Sequence, residues 1–392
     1  MSLSTKLTQL LGIAHPIVCG PMANASGGSL AAATTLGGGL GFIGAGYYDA
    51  KKMGEEFRVA LDAFKGEDVK NAFSSVDDSR VNIGVGFLAW RLSHVHSGGK
   101  GGVKPRSSDE VLKTSIHSEA GSNSPVISLL DAALKPKPIA VWLSFGDADE
   151  MRVWTEVIRK RDAELNGHGD GLKVFIGIGS EQETKAAVED CGADVLVAQG
   201  CEAGGHGLGS SPPLHAQLPR IAALLPTLTP GNSRGEVPPL LGAGGLSDGP
   251  SLASILALGA DGGVLGTRLL LTPEAAYSDA QKQVLLKASS TETKRTMAFD
   301  EARGTLGWPK GVDGRGVINA TVQAYESQEG DAESRRRRYK QAEGEGDEKR
   351  IVTWAGTGVG NMNVIKPARE VIQEVGNDAV KTIEALSQTL KR

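Results

Sequence analysis

The segment best suited to chemistry spans residues 198–207 and has the sequence AQGCEAGGHG. His206 stands among small residues, so few side chains are available to pack around its imidazole ring. An unperturbed histidine gains and loses a proton near neutral pH, which suits it to general base catalysis. We therefore predict that His206 is a catalytic base rather than a structural histidine. Cys201 has no evident activating base except His206, which disfavours a nucleophilic role. Glu202 either orients the loop, accepts a hydrogen bond from a backbone amide or has no role.

Two further glycine-rich segments are suited to binding a phosphate group. They are GAGGL at residues 242–246 and GTR at residues 266–268, and each follows a predicted strand. Bare backbone N–H groups and a helix N-terminus at such positions can face an anion. A third segment, GPMA at residues 20–23, is small enough to lie against a flat ring, although a plain tight turn would explain it equally well. Together with His206, these segments predict a phosphate-bearing ligand.

Residues 37–44, GGGLGFIG, contain the pattern GxGxxG. A dinucleotide site requires a strand before this pattern and a helix after it. Here a helix precedes it and a strand follows. We interpret these glycines as a helix stop and a close contact between a helix and a strand.

Short apolar runs alternate with helical stretches along the first two thirds of the chain. Strands are predicted at residues 16–20, 42–46, 81–87, 139–145, 173–177, 194–198, 239–243 and 263–266. Near-continuous apolar strands separated by helices are typical of a parallel sheet. Eight of them in this order predict a (β/α)8 barrel, and a doubly wound open sheet is the alternative. The histidine and glycine segments then follow strands six, seven and eight, at the end of a barrel where active sites lie.

The predicted division of the chain places the barrel at residues 1–270 and a helical extension, packed on the barrel, at residues 271–392. Within the extension, a charged segment at about 326–350 contains four consecutive arginines. Acidic residues flank them, which favours a solvated helix face over a site for an anionic partner. Residues 93–137 are long, polar and rich in glycine and serine, and they are predicted to be an excursion over the barrel mouth.

Composition excludes several classes of protein. The net charge is −4, and no basic face with interleaved aromatic residues predicts nucleic-acid binding. No apolar run approaches the length of a membrane span. Three scattered cysteines predict a reducing compartment, with neither a disulfide framework nor a metal site. The expected location is cytoplasmic, and the oligomeric state stays open.

The 53 glycines exceed one residue in eight, where about 7% is usual, which indicates backbone packed closely against a ligand.

The motifs of this chain resemble those of the nitronate monooxygenase (2-nitropropane dioxygenase) family, which are FMN-dependent TIM barrels. The resemblance runs from about residue 16 to residue 272 and is carried by PIVCGPMA, GGGLGFIGAGY, AQGCEAGGHG, GAGGLSDG and GVLGTR. The third of these is the most specific. Residues 354–360, WAGTGVG, also resemble the glycine segment near the family's C-terminus.

The resemblance implies an oxidoreductase that binds FMN without a covalent bond and acts as a monooxygenase on nitronates. His206 takes the position of the catalytic base. By matched position, the residues implied to bind the cofactor are Pro21, Met22 and Ala23 along the isoalloxazine, Gln199, Gly200, Gly204 and Gly205 beside the flavin, and Gly244, Gly245, Gly266 and Thr267 at the phosphate. The implied reaction oxidises an alkyl nitronate with molecular oxygen to a carbonyl compound and nitrite. A neutral nitroalkane would first lose its α-proton to His206.

Three segments depart from the compact bacterial pattern: residues 93–137, residues 207–237 and the arginine-rich tail. They can change the substrate opening, so other functions stay open. One alternative is an FMN-dependent NAD(P)H reductase of quinones or enoyl thioesters. A second is a flavin-free barrel lyase or isomerase of sugar phosphates, because a fold does not fix a function. A third is a non-catalytic flavin-binding or scaffold protein.

Overall fold

A computed structural model of the chain describes residues 2–65, 79–98, 104–116, 124–167 and 171–390. The strands of the central sheet and of a second, smaller sheet are numbered in chain order. They are β1 (Ile17–Cys19), β2 (Phe42–Gly44), β3 (Val81–Leu88), β4 (Pro138–Ser144), β5 (Lys173–Ile178), β6 (Val195–Gln199), β7 (Gly205–Leu208), β8 (Leu240–Ala243), β9 (Gly262–Leu265), β10 (Thr293–Thr296) and β11 (Val312–Val317). All eight strands predicted from the sequence are present, with bounds close to those expected.

The central sheet closes on itself as a barrel. Its strands are parallel and follow the order β1-β9-β8-β6-β5-β4-β3-β2. The two outer strands of this order meet near Leu40, which precedes β2. Leu40 accepts a hydrogen bond from the Cys19 amide at 2.9 Å and donates one to Ile17 at 3.0 Å. This closure confirms the predicted barrel over the open sheet.

Helices surround the barrel and follow most of its strands. Their bounds are α1 (Lys6–Leu11), α2 (Gly28–Leu36), α3 (Ala50–Ala63), α4 (Ala89–His96), α5 (Ser108–Ile116), α6 (Pro125–Leu134), α7 (Ala148–Asn166), α8 (Glu181–Lys185), α9 (Leu214–Leu224), α10 (Gly249–Ala257), α11 (Thr267–Leu270), α12 (Asp279–Lys287), α13 (Ala298–Arg303), α14 (Ala320–Glu326), α15 (Ala332–Glu345) and α16 (Ala368–Ser387). A π-helical turn (Ala186–Asp190) extends α8, and short 3-10 turns occur at Leu225–Thr227, Ser290–Glu292 and Thr357–Asn361. None of the helices in the described ranges is long and apolar enough to cross a membrane.

Side chains fill the interior of the barrel. Phe42, Trp142 and Phe175 form an aromatic cluster there, with ring centroids 5.1–5.9 Å apart. Leu7 and Leu11 of α1 join the same buried cluster. Such filling is the usual state of an eight-stranded barrel and leaves room for a ligand only at its ends.

Residues 93–137 differ from the predicted excursion over the barrel mouth. Where they are described, α6 packs against α3 and α7 in the outer layer, and α5 packs against α7. The apolar face of α6 is buried, including Ile127 and Leu130. Residues 99–103 and 117–123 of this stretch lie outside the described residues. The prediction was therefore wrong for α6, because the run PVISLLDAAL has the composition of a buried helix.

The C-terminal helix α16 completes the helical layer. It packs against both α2 and α10, which flank the seam between β1 and β9. At this seam, Gly249 of α10 leaves room for the backbone of Asp378 and Ala379. The helix thus takes the place of the eighth barrel helix. The predicted division at residue 270 assigned α16 to the extension, whereas α16 packs as part of the barrel's helical layer.

Residues 271–367 form an insertion between the last strand and the last helix of the barrel. The insertion contains helices, as expected, but also β10 and β11, which the sequence did not predict. These two strands pair antiparallel, and β11 also pairs with β7 of the barrel's sixth loop. The small sheet β10-β11-β7 therefore joins the insertion to the segment that contains His206.

Candidate active site

A cavity of about 220 Å³ opens at the carboxyl ends of the barrel strands. The segments after β1, β6, β8 and β9 contribute to its wall, as does the insertion. Of the residues predicted to bind the cofactor, those that line it are Pro21, Met22, Ala23, Gln199, Gly204, Gly205, Gly244, Gly245, Gly266 and Thr267. His206 lines the same cavity. These predicted residues therefore lie around one continuous cavity.

Gly200 is the predicted contact residue that does not line the cavity. A Cβ atom at this position would lie 2.2 Å from Glu202 Oε2, so the glycine makes room for that carboxylate. Glu202 accepts hydrogen bonds from the Leu214 amide at 3.0 and 3.3 Å, at the start of α9. Of the roles considered for Glu202, binding a backbone amide is the one observed. Burial and the Glu202 carboxylate raise the pKa of the Cys201 thiol, which disfavours a reactive thiolate.

The segment at residues 20–23 lies directly on the ends of β2 and β3. Gly86 and Gly44 allow this approach, because a Cβ on Gly86 would lie 2.2 Å from Pro21 Cβ and one on Gly44 would lie 2.6 Å from the Met22 carbonyl group. The Ser26 hydroxyl accepts a hydrogen bond from the Met22 amide at 2.8 Å and holds the turn. The segment thus packs closely against the barrel strands and lines one part of the cavity.

The loops after β8 and β9 form a cradle of backbone amides. Among the described residues, the N–H groups of Gly244, Gly245 and Gly266 have no hydrogen-bond acceptor. Gly244 and Gly245 have φ values of 138° and 69°, which favour glycine over every other residue. A Cβ on Gly266 would meet only Met22 Sδ, at 3.8 Å, so this position faces open space. Bare amides of this kind fit a phosphate group.

Trp142 lines the cavity and has an unpaired donor. Its side chain is 6% exposed, and Nε1 has no hydrogen-bond partner in the described part of the chain. A buried donor without a partner costs free energy, which a polar ligand atom would recover. The cavity therefore fits a ligand that combines a polar ring with a phosphate group, as FMN does.

His206 lies in β7, in the part of the cavity wall to which the insertion also contributes. The Gln199 side chain donates a hydrogen bond to the His206 carbonyl oxygen at 2.8 Å, which fixes the backbone. The Nε2 atom of His206 lies 2.9 Å from Oδ2 of Asp300 in α13. The Trp308 ring stacks on the imidazole with centroids 3.6 Å apart and an angle of 12° between the planes. Since Nε2 is occupied, Nδ1 is the ring atom left to accept a proton.

The insertion provides cavity residues that were not among the predicted site residues, although Trp354 begins the glycine segment that resembles the family. Asp300 contacts His206, and Arg303, Trp308 and Trp354 line the cavity. Tyr277 lines it as well, and burial raises the pKa of its hydroxyl, which bonds to the Trp354 backbone. Tryptophan is rare here, with five in the chain, so Trp308 in the glycine-rich stretch GTLGWPKG was a usable signal. The sequence around Asp300, AFDEAR, has no comparable feature that would indicate a site residue. No cluster of potential metal ligands occurs in the ranges that the structure covers.

A closed eight-stranded barrel with a ligand cavity at the carboxyl ends of its strands defines a (β/α)8-barrel enzyme. The family model described as nitronate monooxygenase matches residues 147–378, which is more than half of the chain. The chain therefore belongs to the nitronate monooxygenase family of flavin-dependent oxidoreductases, and the predicted resemblance is confirmed.

Individual relatives agree with this assignment. A nitronate monooxygenase of Neurospora crassa is 28% identical over 94% of this chain and 90% of its own length. A probable nitronate monooxygenase of Staphylococcus aureus is 27% identical over 83% of this chain and 81% of its own. Among solved structures, FabK from Thermotoga maritima is similar with a TM-score of 0.69 and 22% identity, covering 99% of this chain and 100% of its own. A nitroalkane oxidase from Streptomyces ansochromogenes follows with a TM-score of 0.66 and 24% identity, covering 97% and 99%. Both structures support the fold.

Proposed function

We propose that this enzyme binds FMN and oxidises alkyl nitronates with molecular oxygen to a carbonyl compound and nitrite. In the balanced overall reaction, two nitronates and one O2 give two carbonyl compounds and two nitrite ions, so each nitronate gains one oxygen atom and its carbon–nitrogen bond breaks. When bound, FMN supplies the electron transfer that starts this oxidation. The observation that supports the proposal most strongly is that the bare amide cradle and His206 line one cavity.

The residues of the cavity have separable roles in this proposal. The amides of Gly244, Gly245 and Gly266 hold the FMN phosphate, and Thr267 lies beside them. The segment at residues 20–23 supports the isoalloxazine, and Gln199, Gly204 and Gly205 contact the flavin. Gly200 has no contact with the cofactor in this proposal, because it faces Glu202.

Arg303 favours an anionic substrate over a neutral one. It lines the cavity, is half-buried and forms no ion pair among the described residues. A nitronate has its negative charge on two oxygen atoms, much as a carboxylate does, and arginine pairs well with that geometry. The charge of Arg303 thus contributes to binding a nitronate beside the flavin.

His206 extends the reaction to neutral nitroalkanes. The α-hydrogen of a nitroalkane is acidic because the nitro group stabilises the carbanion that forms. In the proposed step the C–H bond breaks, its electron pair stays on the substrate as the nitronate, and the proton moves to His206. A pre-formed nitronate has already lost that proton, so it does not require the base.

The test is to compare both substrates in His206→Asn. We expect turnover of a neutral nitroalkane to fall by about 10²- to 10⁴-fold, the usual contribution of a positioned general base. Turnover of the corresponding pre-formed nitronate and the amount of bound FMN should stay near those of the unmodified enzyme. His215→Asn is the matched control, because His215 is exposed on α9 and does not line the cavity. Equal loss on both substrates would contradict the base role.

A further inference from the structure

Asp300 directs a buried carboxylate at one ring atom of His206. Its oxygen atoms lie 3.0 and 2.9 Å from His206 Nε2, and its side chain has no solvent exposure. No lysine or arginine of the described residues forms an ion pair with it. Removing such a carboxylate from water is costly unless hydrogen bonds replace its hydration. The groups that provide those bonds therefore determine how the carboxylate is oriented.

Thr305 and Trp308 fix the orientation of the carboxylate. The Thr305 hydroxyl donates to Oδ1 of Asp300 at 2.8 Å, and the Trp308 indole N–H donates to the same oxygen at 3.1 Å. Gly304 and Gly307 adopt φ values of 71° and 108°, which allow the loop to turn back over its own helix. In the described structure Oδ2 has no donor other than His206, so this oxygen is left to the imidazole.

We propose that Asp300 is a positioning residue that sets the tautomer of His206. A neutral imidazole has its proton on one nitrogen only, and the other nitrogen is then the base. The carboxylate accepts a hydrogen bond and cannot donate one, so it holds the proton on Nε2. The lone pair is thereby kept on Nδ1. This inference rests on the proposed role of His206 as the base for neutral nitroalkanes.

The proton transfer is balanced within this arrangement. The substrate C–H bond breaks, its electron pair remains on the substrate as the nitronate, and an N–H bond forms at Nδ1. The imidazole becomes an imidazolium that still donates Nε2–H to Asp300. Asp300 does not take the proton, and its negative charge offsets the new positive charge on the ring.

The fixed orientation gives Asp300→Asn a specific consequence. An amide at this position places its carbonyl oxygen where Thr305 and Trp308 donate, because both are donors. Its NH2 group then faces His206 Nε2 and donates to it. The imidazole proton then lies on Nδ1, so Nδ1 has no lone pair to accept a proton from the substrate. Asp300→Ala removes the carboxylate without imposing a tautomer, so it should be less harmful than the isosteric amide.

The first experiment measures turnover of a neutral nitroalkane and of its pre-formed nitronate in both variants. We expect Asp300→Asn to lower kcat for the nitroalkane by about 10²- to 10⁴-fold, with a smaller loss in Asp300→Ala. Turnover of the nitronate should be close to that of the unmodified enzyme in both. Adding Thr305→Val and Trp308→Phe to Asp300→Asn frees the amide to rotate and should restore part of the lost nitroalkane turnover. Equal losses in the Asn and Ala variants would overturn the proposal.

The second experiment observes the tautomer itself. The ¹⁵N chemical shifts of the histidine side chains are recorded in the FMN-loaded protein while His206 is neutral, and His206→Asn assigns the His206 signal by its disappearance. We expect an Nε2–H tautomer in the unmodified protein and an Nδ1–H tautomer in Asp300→Asn. An Nδ1–H tautomer in the unmodified protein would overturn the proposal whatever the variants do. If His206→Asn keeps its nitroalkane turnover, the proposed function fails, while these spectra still decide whether Asp300 sets the tautomer.

Discussion

At the scale of single residues, the cavity combines unpaired hydrogen-bond donors with an imidazole that contacts a buried carboxylate. The N–H groups of Gly244 and Gly245 are unpaired donors, and the Trp142 indole N–H is a third. His206 lines the same cavity, and the Asp300 carboxylate contacts its imidazole. Unpaired donors attract an anionic, hydrogen-bonding ligand, and the carboxylate stabilises a positive charge on the imidazole. The cavity therefore combines donors that suit a bound anion with an imidazole that suits a proton acceptor.

The unpaired donor of Trp142 leads to a prediction about cofactor affinity. Trp142→Phe keeps the aromatic packing against Phe42 and Phe175 but removes the N–H group. A net hydrogen bond contributes about 0.5–1.5 kcal/mol, so the Kd of FMN should rise by about 2- to 12-fold. The measurement is a titration of the apoprotein with FMN, followed by quenching of flavin fluorescence.

Trp154→Phe is the matched control for that titration. Trp154 is fully buried in the core, and its Nε1 donates to Ser93 Oγ at 3.0 Å. Its replacement should lower the free energy of unfolding and leave the Kd of FMN unchanged. An unchanged Kd in Trp142→Phe would show that the ligand makes no bond to that donor.

The residues that could be predicted from the sequence are those whose local neighbours are informative. His206 and the glycines of the cradle lie in dense small-residue segments, so their positions mark a ligand site. Asp300 is 94 residues from His206 along the chain and lies in an ordinary amphipathic stretch. Its role arises from folding of the insertion, and no local pattern indicates it.

At the scale of elements, the ends of β8 and β9 determine how closely a ligand approaches the backbone. Gly266 follows β9 and directly precedes α11, with φ −112° and ψ −86°. Its missing side chain points into the cavity. The added methyl group would meet no protein atom closer than Met22 Sδ at 3.8 Å, so Gly266→Ala should cause no steric overlap in the apoprotein. The methyl group should weaken FMN binding by about 1–3 kcal/mol, which is about 5- to 150-fold in Kd.

Gly54→Ala in α3 provides the comparison. Gly54 is exposed, and a Cβ there would meet no atom within 4 Å. Alanine in a helix is more stable than glycine by about 0.5–1 kcal/mol, so this variant should unfold at higher denaturant concentration with an unchanged Kd. If Gly266→Ala bound FMN as tightly as Gly54→Ala, the proposed position of the phosphate would be wrong.

The barrel strands were predictable because parallel strands buried on both faces have near-continuous apolar sequences. The runs at β4, PIAVWLS, and β6, VLVAQ, have this pattern. The strands β10, TKRT, and β11, VDGRGV, are short and polar, so they have no comparable signal. They pair because the insertion brings them beside β7, which is a tertiary effect that the sequence pattern does not contain.

At the scale of the whole molecule, the insertion at residues 271–367 completes the active site, and α16 completes the barrel around it. Trp308 and Trp354 come from the insertion and close the wall around His206, while the barrel loops provide the amide cradle. The insertion also contacts the cradle, because the Gly356 amide donates a hydrogen bond to Thr267 Oγ1 at 2.9 Å and Gly358 lies against the Gly245 backbone. Both ends of the cavity are therefore built from barrel loops and insertion together.

The most direct test of this account is the visible spectrum of the FMN-loaded protein, recorded without oxygen before and after addition of an alkyl nitronate. We predict that the nitronate diminishes the absorption of the oxidised flavin, and that admission of oxygen restores it while nitrite accumulates. A bound flavin that ignores the nitronate and is bleached by NADH would contradict the proposed reaction. A protein that binds no FMN on reconstitution would contradict the cofactor as well.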